Sequence, residues 1–399
     1  MKVYIIEAKR SAIGSYLGSL KDIDPGHLAG EVIKDLSKNI NKDIIDEVIV
    51  GNTLSAGHAQ GVGRQAAIYG GLSNSTIAYS LNMLCGSGMK AVINAISQIK
   101  AGISDVIIAG GVESMSTAPY LIPSKARVGL GLGNAKLIDS MVNDALTDAF
   151  GGYHMGITAE NIAKKYSISR EAQDLCAINS QKKAILADDK NIFKEEITPI
   201  VIKTRKSEFI FKTDEYINRN TSLEKLAKLR PAFKTDGTVT AGNSSGINDG
   251  ASFTLLASQK AVEKYNLKVL AEIVDSSQVG IDPNFMGLSP AFAIERLLKN
   301  NNFDINNIDL FEINEAFAAQ FLGAFEALKE KFAFDDIALA KKINVNGSGI
   351  ALGHPVGASG NRIIVSLVHE MIKQKSKYGL ASLCIGGGLG TAVLLKSID

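Results

Sequence analysis

The amino-acid sequence predicts an α/β protein made of two copies of one α/β unit, with a further lobe inserted between them. Short β-branched runs such as Glu47–Gly51 and Asp105–Gly110 alternate with segments of helical period such as Met89–Lys100. Apolar strands of this kind are typical of parallel sheets that are covered on both faces. Similar motifs recur in the same order in both halves of the chain, whereas residues 120–248 break that order.

Two pairs of segments indicate the duplication. Residues 45–52 and 308–315 each open with Ile-Asp and continue as an apolar run that reaches an Asn. In each half a turn of small residues, 85–88 or 357–360, then precedes a helical segment and an apolar strand that ends in glycines. We therefore expect a first half at 1–119 plus 249–269, an inserted lobe at 120–248 and a second half at 270–399.

Length and composition exclude several classes of protein. The 399 residues exceed the roughly 100 to 200 of a usual domain, and 46% of them are hydrophobic, as in a globular protein with a large core. The 43 basic and 41 acidic residues nearly cancel, which disfavours a nucleic-acid or membrane-surface partner. No stretch approaches the ~20 apolar residues that span a bilayer, and the N-terminus lacks the apolar core of a signal peptide. We expect a cytoplasmic protein.

The inserted lobe contains a basic segment. Lys203–Lys234 holds nine Lys or Arg residues against four acidic ones, although the whole chain carries a net charge of only +2. Such a segment is either a solvated charged surface or a docking site for a phosphorylated ligand. The segment by itself leaves both interpretations open.

The three cysteines are too few and too widely spaced for a disulfide framework or a zinc site. Cys85 lies among small residues just before a helical pattern, where a helix N-terminus would favour the thiolate of a nucleophile. Cys384 ends an apolar strand and is followed by a glycine-rich turn. An isolated cysteine is also often a small core residue, and for Cys176, in mid-helix, we adopt that interpretation.

Two further polar residues lie where a site is expected. His354 stands before Pro355 in a glycine-flanked turn that cannot be helical, so it is a candidate exposed base or an ordinary loop residue. Asn314 follows an apolar strand, at the end where α/β proteins place ligand-binding groups. An asparagine at this position could equally cap a helix.

Five segments resemble, in order, the signature blocks of the thiolase family, and the resemblance runs from the first strand to the last residues. The segments are Leu84–Ala91, Gly111–Ser116, Asn314–Phe317, Asn344–Gly360 and Cys384–Gly390. Within the family the chain is most similar to the acetyl-CoA acetyltransferases, partly because of Tyr153–Gly156. The resemblance implies the thiolase fold, with the two halves in a five-layer αβαβα arrangement.

The resemblance also implies a reaction, the reversible Claisen condensation of two acetyl-CoA into acetoacetyl-CoA and coenzyme A. Cys85 would carry the acyl group, His354 would activate Cys85, and Cys384 would be the general acid and base. One oxyanion hole would consist of His354 and a water held by Asn314, the other of the N–H groups of Cys85 and Gly386. No metal or organic cofactor is implied, and a homotetramer is expected.

The family's coenzyme A contacts are carried over onto matching positions. These positions are His154, Met155, Leu229, Phe233, Ala241, Ser245, Ala316 and Phe317. His154 and Met155 would restrict the acyl pocket to short chains. Asn218 occupies a place where the bacterial enzymes tend to carry an arginine near the coenzyme A phosphate, and the hypothesis is that Arg219 substitutes for it.

Alternative functions make different demands on these residues. A papain-like hydrolase would use Cys85, His354 and Asn314 but would not need Cys384. A thiolase-like acyl-CoA or lipid carrier would bind without turnover, and the presence of both thiols and His354 argues against it. Decarboxylating ketoacyl synthases share the fold but not the Cys384 block. A degradative 3-ketoacyl-CoA thiolase with a broader pocket is the nearest alternative, and the direction of the reaction in the cell stays open.

Overall fold

The computed structural model describes residues 1–203 and 207–398, so Arg205 and Lys206 of the basic segment lie outside the described residues. The strands are β1 Val3–Ser11, β2 Gly14–Ser15, β3 Glu47–Gly51, β4 Ile77–Leu81, β5 Val106–Ser114, β6 Tyr120–Leu121, β7 Ile138–Asp139, β8 Ile197–Thr198, β9 Ile200–Lys203, β10 Glu208–Phe211, β11 Asn248–Ser258, β12 Ala271–Gly280, β13 Leu310–Ile313, β14 Tyr378–Ile385 and β15 Leu389–Ser397. The α-helices are α1 Pro25–Leu36, α2 Val62–Tyr69, α3 Ser87–Lys100, α4 Met155–Lys165, α5 Arg170–Asp189, α6 Leu223–Ala227, α7 Gln259–Tyr265, α8 Ser289–Asn300, α9 Ala318–Lys329, α10 Asp336–Lys342, α11 Gly349–Leu352 and α12 Val356–Gln374.

The strand order is the same in the two halves, which confirms the predicted duplication. In the first half the order is β1-β11-β5-β3-β4, with antiparallel pairing up to β5 and parallel pairing beyond it. In the second half it is β12-β15-β14-β13, with the same change from antiparallel to parallel at β14. A parallel bridge between Phe311 and Ile343 stands where β4 stands in the first half. The two sheets meet where β1 pairs with β12.

The repeated Ile-Asp pair has the same structural role in both halves. Asp46 accepts hydrogen bonds from the backbone N–H of Asp105 at 2.8 Å and of Val106 at 2.9 Å, which ties the start of β3 to the start of β5. Asp309 accepts the equivalent bond from Tyr378 at 2.8 Å, which ties β13 to β14. A carboxylate at this point satisfies N–H groups that the parallel ladder leaves unpaired.

The elements form five layers, as predicted, and the three largest hydrophobic clusters of the described residues lie outside the first sheet, between the two sheets and outside the second sheet. Helices α1 and α2 cover the outer face of the first sheet, α3 and α12 lie between the sheets, and α8 and α9 cover the second sheet. Strand β3 illustrates how one strand contributes to two clusters. Val48 and Val50 pack in the outer cluster and Ile49 packs in the central one, because successive side chains of a strand point to opposite faces. Helix α12 is buried along nearly its whole length because both sheets pack against it.

The elements from β6 to β10, together with α4, α5 and α6, interrupt the repeated topology between β5 and β11. This lobe is anchored to the first sheet by Arg10 of β1, which makes buried ion pairs of 2.7 Å with Glu196 and with Asp214. We propose that the chain divides into the three parts given above, with β11 returning the chain to the first half from Asn248 onward. Among the described helices, none combines the length and the apolar character needed to cross a membrane.

Candidate active site

The three candidate catalytic side chains come from element ends that meet in the middle of the molecule. Cys85 lies in a 3-10 turn, Leu84–Gly86, directly before α3, and His354 lies two residues before α12. Cys384 is the second-last residue of β14. Because α3 and α12 pack together in the central layer, their N-terminal ends bring the two halves of the site into one place.

The turn that carries Cys85 has an unusual backbone. Leu84 has a φ of 50°, a conformation that residues other than glycine rarely adopt and that often occurs at functional sites. Side chains on both sides hold the turn: Asn82 accepts the N–H of Leu84 at 2.9 Å, and the hydroxyl of Ser87 donates to the Leu84 carbonyl at 2.7 Å. These bonds fix the direction in which the Cys85 thiol points.

One cavity of about 320 Å³ is lined by Cys85, His354, Cys384 and the glycine at 386. Most of its lining is apolar. The cavity is also lined by seven of the predicted coenzyme A contacts, namely His154, Met155, Phe233, Ala241, Ser245, Ala316 and Phe317. Asn314, Leu229 and Arg219 do not line this cavity.

Burial makes Cys85 a weaker acid than the helix-terminus argument predicted. Removal of the thiol from water raises its pKa to about 11, and the negative charge of Glu113 adds to that rise. The backbone N–H groups of Gly386 and of Cys85 itself favour the thiolate and lower the pKa, but by less. Burial thus outweighs the effect of the helix N-terminus, and the thiol needs a base to remove its proton.

His354 is arranged as that base. Its Nδ1 lies 2.6 Å from the hydroxyl of Ser359, and this hydroxyl donates its proton to the carbonyl of Pro355 at 2.9 Å. Both bonds are satisfied together when Nδ1 carries the proton and donates to Ser359, and this tautomer leaves a lone pair on Nε2. Nε2 is buried and finds no hydrogen-bond partner among the described residues.

The charge state of His354 suits the same role. Burial lowers the pKa of the imidazole to about 4, and the nearby positive charge of Arg362 lowers it further. The ring is thus neutral at physiological pH and able to accept a proton. The sequence predicted an exposed residue, but His354 is only 5% exposed, because both halves of the molecule enclose the turn.

Cys384 is enclosed more tightly than Cys85. It is 2% exposed, and burial, followed by the proximity of Cys85, raises the pKa of its thiol. The adjoining turn approaches Cys85 closely because it lacks side chains: a Cβ at Gly386 would stand 2.9 Å from Leu84 and 3.5 Å from the sulfur of Met155. Both thiols and the backbone of Gly386 therefore line one small, mostly apolar cavity.

Asn314 lies directly after β13, two residues before Ala316 of the cavity wall. Its backbone N–H donates to the carbonyl of Ser382 at 3.1 Å, and the residue is fully buried. Neither polar atom of its side-chain amide finds a hydrogen-bond partner within the part of the chain that the structure describes. Buried amides are normally satisfied, so this side chain is available to hold a small polar molecule.

Aromatic rings form the wall of the cavity on the side of the inserted lobe. The His154 ring stacks on Phe233 with centroids 4.6 Å apart, and Phe233 meets Phe317 edge-on at 5.9 Å. Nδ1 of His154 accepts the N–H of Gly156 at 3.1 Å and so caps α4. A Cβ at Gly156 would collide with the Phe233 ring, which explains the glycine there.

A second cleft continues from the cavity towards the surface of the lobe. It shares Tyr216, Ala241 and Ser244 with the cavity and is also lined by Asn218, Lys225 and Leu229. Arg219 points elsewhere, because its guanidinium is paired with the carboxylates of Asp188 and Asp189 at the end of α5.

Several residues of the site have no recognisable signal in the sequence. The apolar lining includes Met115, Leu146, Tyr216, Ile247 and Met286. Ser359, which orients His354, and Glu113, which raises the pKa of Cys85, both lie inside motifs in which no catalytic role was expected of them. Their roles follow from their contacts in the folded protein, because the residue type alone does not show which group a serine or a glutamate contacts.

Comparison with known proteins agrees with this geometry. The model of the thiolase N-terminal domain matches residues 3–260, and that of the thiolase C-terminal domain matches residues 267–397. The acetyl-CoA acetyltransferase of Pseudomonas aeruginosa is 49% identical to this chain over 396 residues, or 98% of each chain.

Solved structures are equally similar. The crystal structure of the Bacillus anthracis acetyl-CoA acetyltransferase has a TM-score of 0.95 and 40% identity, covering 100% of this chain and 99% of that one. The crystal structure of human mitochondrial 3-ketoacyl-CoA thiolase covers the same shares with a TM-score of 0.95 and 41% identity. The fold, the order of the motifs and these full-length matches place the chain in the thiolase family.

Proposed function

We propose that this protein is an acetyl-CoA C-acetyltransferase that condenses two acetyl-CoA into acetoacetyl-CoA and coenzyme A, and catalyses the reverse thiolysis. The observation that carries the proposal is the apolar cavity in which two thiols, Cys85 and Cys384, face one imidazole, His354. A hydrolase would need only one of the two thiols, whereas a reaction with both an acyl-enzyme and a carbanion needs both.

Acyl transfer comes first. The sulfur of Cys85 attacks the thioester carbon of acetyl-CoA while its proton passes to Nε2 of His354. The N–H groups of Cys85 and Gly386 favour negative charge at that sulfur, and they would stabilise the oxyanion of the attacked carbonyl in the same way. Collapse of the tetrahedral intermediate expels the coenzyme A thiolate, which takes the proton of Cys384 and leaves as the thiol.

Carbon-carbon bond formation follows. Cys384, now a thiolate, removes a proton from the α-carbon of a second acetyl-CoA, and burial makes that thiolate a strong base. The carbanion attacks the acetyl group on Cys85, whose sulfur departs and recovers its proton from His354. The enolate oxygen would be stabilised by His354 together with a water held by the unpartnered amide of Asn314.

Coenzyme A would enter through the cleft of the inserted lobe. The pantetheine would pass the aromatic wall and Leu229, with Ala241 at the point where cleft and cavity join. Lys225 lines the cleft and has no carboxylate partner within the described ranges, so it can meet a coenzyme A phosphate. Arg219, the residue suggested by the sequence, has its charge neutralised by two aspartates and is the weaker candidate.

We also propose a homotetramer that works in the cytoplasm, where its three free cysteines would stay reduced. Exposed apolar side chains on the surface of the chain support the proposal of assembly. The segment from β6 to β7 exposes large side chains, including Val128 at 90% and Leu137 at 66%, and the edge strand β4 exposes Ile77 at 66%. Exposed apolar patches and unpaired strand edges are typical of subunit interfaces.

The deciding experiment measures coenzyme A-dependent cleavage of acetoacetyl-CoA and of a long-chain 3-ketoacyl-CoA. Wild type should prefer acetoacetyl-CoA, and Cys85→Ala should lose the activity. Cys176→Ala is the matched control and should retain it, because Cys176 lies outside the cavity. Better turnover of the long-chain substrate would indicate a 3-ketoacyl-CoA thiolase, and cleavage that does not depend on Cys85 would overturn the proposal.

A further inference from the structure

Glu113, near the end of β5, is a fully buried carboxylate without a cationic partner among the described residues. Four N–H groups surround it. Oε1 accepts from the side chain of Asn52 at 2.9 Å and from the backbone of Leu54 at 3.0 Å. Oε2 accepts from the backbone of Thr53 at 3.0 Å and of Gly357 at 2.9 Å. Three donors thus belong to the loop after β3, and the fourth belongs to the other half of the chain.

The contacts of Glu113 extend in both directions to the reacting groups. Gly357 is in the first turn of α12, three residues after His354. On the other side, the hydroxyl of Thr53 donates to the carbonyl of Leu84 at 3.3 Å, next to Cys85. The carboxylate therefore bridges the turn that carries the base and the loop that supports the turn with the nucleophile.

The packing around this bridge leaves no space for a side chain at Gly357 or Gly111. A Cβ at Gly357 would stand 2.7 Å from Oε2 of Glu113, and a Cβ at Gly111 would collide with the Gly357 carbonyl. The N-terminal end of α12 can approach β5 only because both positions are glycines. Burial raises the pKa of Glu113 to about 7, and the N–H groups around it, including that of Gly357 at the N-terminal end of α12, favour the carboxylate form.

We propose that Glu113 is the positioning residue that sets the distance between Cys85 and His354. The inference rests on the proposed function, since the distance matters only if the two side chains exchange a proton. The carboxylate has this role because each of its oxygens accepts two N–H groups. The amide nitrogen of a glutamine would face two of these donors whichever way it turned, and an aspartate is too short to reach both sides.

The test uses Glu113→Gln and Glu113→Asp in the full-length protein, with Asp46→Asn as the matched control. Asp46 accepts two N–H groups at the opposite end of the same two strands, far from the site. Both Glu113 variants should lower kcat for acetoacetyl-CoA cleavage by on the order of 100-fold, because an error of about 1 Å in alignment has that effect. KM should stay within about twofold of wild type, as the cavity that binds the substrate is unchanged, and Asp46→Asn should keep wild-type kcat.

Alkylation of Cys85 by iodoacetamide separates positioning from simple charge. If Glu113 acted only through its charge, its removal in Glu113→Gln would lower the pKa of Cys85 and speed alkylation, while Glu113→Asp would behave as wild type. Under the proposal both variants are alkylated more slowly than wild type, because His354 no longer meets the thiol. Faster alkylation of Glu113→Gln, or wild-type kcat in a folded variant, would overturn it.

If the Glu113 variants are not recovered folded, Thr53→Val takes their place, since it removes only the hydroxyl that donates to Leu84. The proposal then predicts a lower kcat at an unchanged KM, and wild-type kcat would contradict it. Failure of the proposed function is distinguishable, because in that case wild type itself lacks Cys85-dependent turnover.

Discussion

Replacing Ser359 with alanine removes the hydroxyl that accepts the Nδ1 proton of His354 at 2.6 Å. This bond is present in the resting enzyme, where the ring is neutral, and in the transition state, where the ring gains a proton from Cys85. Only the difference between the two states changes the rate. Hydrogen bonds between neutral groups contribute about 0.5 to 1.5 kcal/mol and those to charged groups about 1.5 to 3.

The difference amounts to about 1 to 1.5 kcal/mol, which corresponds to a fall in kcat of roughly 5- to 15-fold. KM should not change, because Ser359 does not line the cavity. The assay is steady-state cleavage of acetoacetyl-CoA at saturating coenzyme A. Ser366→Ala is the control: Ser366 is buried on the same helix, and its hydroxyl donates to Glu196 at 3.4 Å, away from the site. Wild-type kcat in Ser359→Ala, or an equal loss in both variants, would refute the assignment of the His354 tautomer.

Three other outcomes are expected. Cys384→Ala should still form the acetyl-enzyme on Cys85, but its rate of condensation should fall by several orders of magnitude. The rate is measured as formation of acetoacetyl-CoA, and a wild-type rate would contradict the proposed acid-base role. Lys225→Ala should raise KM for coenzyme A more than Arg219→Ala, and the reverse order would restore the sequence-based hypothesis. Because burial raises the pKa of Cys85 to about 11, its alkylation by iodoacetamide should keep rising above pH 9, and a plateau near neutral pH would show that the thiolate is preformed.

The fold was largely predictable from local patterns. Strands such as Val106–Ser114 are buried on both faces, and their largely apolar composition predicts this burial. The Ile-Asp pairs identified the duplication because Asp46 and Asp309 make equivalent bonds to the start of the neighbouring strand. Cys85, His354 and Cys384 were identifiable as candidates from equally local patterns, since Cys85 and His354 stand in turns of small residues and Cys384 ends a strand directly before such a turn.

What the sequence could not determine depends on groups that are distant along the chain. The sequence determined which residues reach the ends of the central helices and strands. Only the tertiary structure decided that Cys85 and His354 are both uncharged at rest, because desolvation is produced by both halves together with the inserted lobe. It likewise decided that Arg219 is held by two aspartates and that Glu113 spans the two halves, since a charge acquires its partners only when the chain has folded around it.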